Sequence, residues 1–214
     1  MVLSSYAVTS YEVFPPDSKP YGLSYEEWSA KWMKWLASIP GEVNPSNDET
    51  GQFCATGQNA TGPVWFLAGT SDKNGAERDC TIPEGKSILI SPIDAIFTFK
   101  EAGIHTEAEL RDAAKRDQDN VKIVELKVND VEVITDYDKF RFQSPIFDIK
   151  LPQNNIAGYP PGPTQAVTDG YYIMLKPLPA GTYKIESMGH MFGPSGANPG
   201  ASFISDVTYN ITIK

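Results

Sequence analysis

Histidine is almost missing from this chain: His105 and His190 are the only two in 214 residues. Cysteine is as scarce, with Cys54 and Cys80 alone. Two cysteines without suitable histidine partners argue against a zinc site. Dense runs of Lys or Arg are also lacking, and 18 basic against 27 acidic residues leave a net charge of −9. Phosphate backbones and anionic membrane surfaces demand clustered positive charge, so neither nucleic acid nor acidic lipid is an expected partner. No apolar stretch approaches the length of a membrane-spanning helix, and no transmembrane segment is expected. Repeats, low-complexity tracts and linkers are absent as well, which points to one domain over residues 1–214. The opening "MVLSSYAVTSYEVFPP" lacks the basic-then-apolar pattern of a signal peptide. It reads as an extended segment over residues 1–20 of a mature chain whose leader is absent.

What is present favours a packed, turn-rich body. Hydrophobic residues make up 41% and charged residues 21%, enough for a core and against global disorder. Seventeen Gly and seventeen Pro favour many short elements over a few long helices.

One amphipathic helix is predicted over residues 24–39. Ser24 and Glu27 form a capping box, Trp28, Trp32, Trp35, Leu36 and Ile39 recur at helical spacing, and Pro40-Gly41 ends the run. The tryptophan stripe is expected to pack on a sheet rather than to serve as a ligand platform. A second, mostly polar helix is predicted near 106–118, with Thr106 and Glu109 as its capping box and a position on the surface. The remainder reads as about nine short strands, including Val64–Ala68, Ser87–Ile90, Tyr171–Leu175 and Thr182–Met188. Asn129-Asp130 is placed as a hairpin turn before Val131. The expected fold is mainly β: a single antiparallel β-sandwich of jelly-roll type, carrying the N-terminal helix and the short surface helix.

The densest stretch runs from Asn44 to Lys86 and holds both cysteines, which sit among Gly, Thr, Asp and Arg. A Cys54–Cys80 bridge is therefore favoured over two separate buried thiols. It closes a loop of about 27 residues, for which the chain-entropy argument gives roughly 3–4 kcal/mol. Two N-x-[ST] sequons, at Asn59 and Asn210, fit the same oxidising, glycosylating environment.

Two connections, roughly 151–170 and 189–202, are longer than such a fold needs. If Tyr171–Leu175 and Thr182–Met188 pair as neighbours, both loops lie at one end. They then gather Asn154, Asn155, Tyr159, His190 and Asn198, a set suited to a small polar molecule or glycan. The rival reading is two loops packed on each other with no ligand. A hydrolase is the competing class, with His190 assisted by Ser195 and by Asp206 or Asp169. No G-x-S-x-G elbow supports it. Hard-oxygen sets for calcium occur at Asp48 and Glu49 and at Asp72, Asn74 and Glu77, although such runs are more often Asx turns. No metal or other cofactor is expected, and no Gly-rich loop reads as a phosphate cradle.

A family resemblance rests on Trp28, Trp32 and Trp35, then on Asn44-Pro45, Asp48, Thr50-Gly51, Cys54, Gly57-Gln58 and the run Gly62 to Thr70. Arg78, Cys80, Pro83 and Gly85-Lys86 continue it, as do "DGYYIMLKPLPAGTYKI" and "DVTYNITIK". In these the chain resembles a group of uncharacterised bacterial and archaeal exported proteins. The resemblance implies an exported sandwich with a paired cysteine bridge and carries no activity. The expected role is an extracytoplasmic or cell-surface binding protein for a carbohydrate or other small polar ligand. Beside it stand the secreted hydrolase and a structural envelope or assembly component whose strand edges pair between identical chains.

Overall fold

The computed structural model describes residues 10–70, 74–192 and 202–214. Its described residues are mainly β, with two α-helices and two five-stranded sheets. The first sheet contains β1 (Val64–Leu67), β3 (Ser87–Thr98), β8 (Gly162–Leu175) and β6 (Arg141–Gln143) in that order, and β7 (Phe147–Leu151) also pairs with β8. The second runs β2 (Ala76–Ile82), β10 (Phe203–Ile213), β9 (Gly181–Met191), β4 (Val121–Val128), β5 (Val131–Glu132).

Neither sheet is purely antiparallel, which corrects the expectation from sequence. β1 runs parallel to β3, and β2 runs parallel to β10. The cause is the order of visits: the chain passes from β1 in the first sheet to β2 in the second and back to β3, so it returns beside β1 in the same direction. A second correction concerns the expected pairing of Tyr171–Leu175 with Thr182–Met188. Tyr171–Leu175 lies in β8 and Thr182–Met188 in β9, and these strands belong to different sheets rather than forming a hairpin. β8 also begins nine residues earlier than the sequence suggested, so the preceding connection is confined to 152–161.

Local chemistry explains the elements that position the site. In α1 (Tyr25–Ala37) the capping box forms in both directions, with the Ser24 N–H donating to Glu27 at 2.9 Å. The three indoles are buried, and each N–H finds a carbonyl: Pro20 for Trp28, Leu67 for Trp32 and Thr56 for Trp35. A buried indole donor needs that partner, and here it also ties the helix to two turns and to the end of β1. Asn44 closes the other end by donating to the carbonyls of Leu36 and Ile39. α2 (Glu107–Gln118) buries Leu110 and Ala114 against β3 and β8, with Phe97 and Val167 in the same cluster. Asn129 and Asp130 both take positive φ, as the tight β4–β5 turn requires. The main cluster of buried apolar side chains draws on α1 and both sheets.

Candidate functional site

The site begins with an irregularity in β3. Ile90 pairs with Ile173 and Ile93 with Tyr171, so Ser91-Pro92 adds one residue opposite β8. This is a β-bulge, and bulges re-aim the side chains around them. Pro92 is tolerated in a central strand because β1 ends at the Leu67–Ile90 pair and asks no hydrogen bond of it. Two glycines make the room. A Cβ on Gly170 would lie 2.5 Å from the Asp94 Cβ, and one on Gly189 would lie 2.4 Å from the Ile93 Cβ.

Beyond the end of β1 the bulge borders a cavity of about 260 Å³. α1 supplies Trp32, Met33 and Leu36 to one wall. The turn Gly69-Thr70 and the first residues of β10, Phe203 and Ser205, form another. Ile156 and Ala157 close the side facing the 152–161 connection.

Among the described residues, Asp94 is the only ionisable one lining this space. Burial pushes its carboxyl up to about 7, and the nearby Ser91 hydroxyl offsets only part of that rise. Among the described residues no lysine, arginine or histidine pairs with it. Hydroxyls brace the backbone behind it. Ser91 donates to the Tyr171 carbonyl at 2.9 Å, Thr168 to the Ala95 carbonyl at 2.8 Å, and Tyr172 shares a 2.7 Å hydrogen bond with Thr168. The Tyr172 hydroxyl is held far above its ordinary value by burial and by Asp94, so it stays neutral. Ser205 accepts from the Thr70 N–H at 3.1 Å, fastening the Gly69-Thr70 turn to β10.

A carboxyl poised near neutrality in an apolar recess can accept or donate a hydrogen bond, or exchange a proton, at ordinary pH. Among the described residues no second ionisable group lines the cavity beside it, whereas general acid–base catalysis pairs an acid with a base.

The described residues among those expected from sequence lie elsewhere. Tyr159 is half-buried, and its hydroxyl donates to Glu101 at 2.7 Å. Asn155 bonds the Pro152 carbonyl and both backbone groups of Tyr159, and Asn154 bonds Glu42. Asn155 holds its own loop together and Asn154 ties that loop to Glu42, and the loop offers the cavity Ile156 and Ala157 instead. His190 lies on β9 with its ring 3.8 Å from that of Phe192, and its Nε2 is buried without a partner. Asp206 pairs in register with Met188, and no ion pair joins it to His190 among the described residues. Asp169 belongs to the first sheet, where Arg141 and Gln143 occupy its two oxygens at 2.8 and 3.1 Å. Ser195 and Asn198 lie outside the described residues, as does Asp72.

For calcium, the Asp48 carboxylate already accepts the N–H groups of Thr50, Gly51 and Phe53. These outweigh its burial and hold it below the usual range. Glu49 is exposed, Glu77 accepts from Asn210, and Asn74 is exposed. Among the described residues no three acidic, histidine or cysteine side chains converge. Both sequon asparagines are exposed: Asn59 in an Asx turn and Asn210 on the outward face of β10.

The Asn44–Lys86 stretch proves to be a set of internal ties. Cys54 and Cys80 form a disulfide with their Cα atoms 5.8 Å apart. Gln58 bonds both backbone groups of Phe66, pairing with the outer edge of β1. Lys86 donates to the carbonyls of Ala60 and Gly62. Arg78, only 1% exposed, donates to the carbonyls of Ser46, Asp48, Ala68 and Gly69 and to the Tyr209 hydroxyl. Two of its acceptors, Ser46 and Gly69, line the cavity.

Sequence reasoning missed Asp94, Ser91, Thr70 and Ser205. One signal was there to read: an acid and a proline inside the otherwise apolar run "ILISPIDAIF".

No protein-family model, curated protein or solved structure matches this chain. No helix among the described residues is long and apolar enough to cross a membrane.

Proposed function

We propose that this is an extracytoplasmic binding protein, with its two sheets stacked as a sandwich, that takes a small molecule into the cavity beside Asp94. The observation that carries the reading is one carboxyl, unpaired by any described cation, opening onto a recess walled by Trp32, Met33, Ile96 and Phe203. Apolar walls with a few convergent polar groups are the ordinary make-up of a ligand site, and the volume suits a small ligand. The disulfide supports a location in an oxidising compartment. The ligand differs from the glycan that the loop amides suggested, because those amides are spent on internal hydrogen bonds. The hydrolase reading finds less support, since the His190 ring lies tilted against Phe192 and bonds no described hydroxyl or carboxylate.

The test is a ligand-observed NMR screen of small fragments against the intact protein and Ala157→Trp, which fills the recess from its loop side. Fragments that bind the first and not the second support the reading. A screen without hits at millimolar concentration, or hits indifferent to A157W, overturns it.

A further inference from the structure

We infer that the ligand of this cavity is a small protonated amine, its ammonium set against Asp94 and its hydrocarbon body against Trp32, Ile96 and Phe203. The inference rests on the reading of the cavity as a binding site and adds the charge and size of what enters it.

Charge comes first. Asp94 is half-buried; a carboxylate withdrawn from water without a counter-charge is costly, and the protein's described side chains supply none here. A cationic ligand provides the missing partner, a neutral one does not, and an anion is repelled. An ammonium carries three donors. Asp94 accepts one, and Ser91 and Ser205 line the same space. Trp32 and Phe203 add aromatic surface, to which cations are attracted.

Size comes next. The cavity is about 260 Å³ and opens to solvent, which suits a small ligand.

The same geometry fixes the pH response. An alkyl amine stays protonated well above neutrality, as lysine does. Asp94 is the group that changes. Among the described residues, no second titrating group lines the cavity: α1 presents Trp32, Met33 and Leu36, β10 presents Phe203 and Ser205, and the 152–161 connection presents Ile156 and Ala157, while on β8 Tyr172 stays neutral and Asp169, raised by burial, is paired with Arg141. Amine affinity therefore rises as the pH passes from 6 to 8, by about tenfold, because only the ionised fraction of Asp94 is competent.

Benzylamine, benzyl alcohol and benzoate test this by calorimetric titration of the wild type, Asp94→Asn and Ala157→Trp at pH 6 and pH 8. The expected result is benzylamine at least tenfold tighter than benzyl alcohol at pH 8, with that preference lost in D94N and all binding lost in A157W. Benzyl alcohol or benzoate binding as tightly as benzylamine, with binding lost in A157W, overturns the amine and leaves the cavity reading intact. No binding of any probe to the wild type overturns the amine, and the fragment screen then decides the cavity separately. Amine binding unchanged by D94N also overturns it.

Discussion

Gly170 on β8 sits directly opposite Asp94 on β3, so close that a Cβ would stand 2.5 Å from the Asp94 Cβ and 2.7 Å from the Ile93 carbonyl oxygen. Backbone lies on one side of that gap, so it cannot yield as a flexible side chain would. Gly170→Ala is expected to cost about 1–3 kcal/mol through overpacking and to displace the carboxyl. Urea denaturation checks the first effect. A loss below about 0.5 kcal/mol, the range of an ordinary surface change, would show that the bulge relaxes freely.

Asp94 also makes stability depend on pH. In the unfolded chain its carboxyl titrates near 3.9; in the folded protein it titrates at about 7. Between those values the folded state holds more protons than the unfolded one, so stability falls as pH rises through the window and levels off above it. At about 1.36 kcal/mol per unit the loss has an upper bound of about 4 kcal/mol, reduced because the carboxyl borders a cavity open to water. Asp169, also raised by burial, slopes the same way, so the comparison must be with Asp94→Asn. The variant is expected to flatten the curve between pH 4 and 7 and to exceed the wild type at pH 8 by at least about 1 kcal/mol. Parallel curves for the two proteins across that range would refute the assignment.

Local signals carried much of the fold, and site chemistry much less. The two capping boxes, the tryptophan stripe and the Asn129-Asp130 turn were legible because each depends on neighbours a few residues apart. β2 was missed because "AERDCTI" is polar outside, and its inward set of Arg78, Cys80 and Ile82 hides a guanidinium among apolar positions. The parallel pairings were not legible, since they follow from the order in which the chain changes sheets. The loop amides misled for a related reason. An Asn in a Gly/Pro-rich connection looks the same in sequence whether it waits for a ligand or, like Asn155, closes its own turn. Asp94 was the readable clue that went unread, an acid in an apolar strand for which no local role existed.

Arg78 is expected to be intolerant even of lysine. Its guanidinium meets carbonyls of Asp48 at 2.5 Å, of Ala68 and Gly69 at 3.1 Å and of Ser46 at 3.2 Å, and the Tyr209 hydroxyl at 2.7 Å. An ammonium has three donors where the fork has five, and it cannot span acceptors on both sides. Arg78→Lys should leave buried carbonyls unpaired and cost about 3 kcal/mol or more. Because Ser46 and Gly69 border the cavity, the variant should also weaken ligand binding at temperatures where it is fully folded. A midpoint of urea denaturation within error of the wild type would show that water replaces the lost donors.

The disulfide should act locally as well as globally. β2 is an edge strand paired only with β10 among the described residues, and Cys80 on it is the point that ties it to the loop carrying Cys54. Closing a loop of about 27 residues contributes roughly 3–4 kcal/mol by the chain-entropy argument. Reduction, or the Cys54→Ala/Cys80→Ala pair, should therefore lower global stability by an amount of that order or somewhat less. Because Arg78 and the β10 ladder still hold β2 in register, the strand should remain in place but open more often. Amide hydrogen exchange is the discriminating measurement: on reduction, protection should drop at Glu77–Thr81 before it drops at Ile185–Gly189 in the middle of the same sheet. Uniform loss across both strands would mean that the bridge acts only by restricting the unfolded chain.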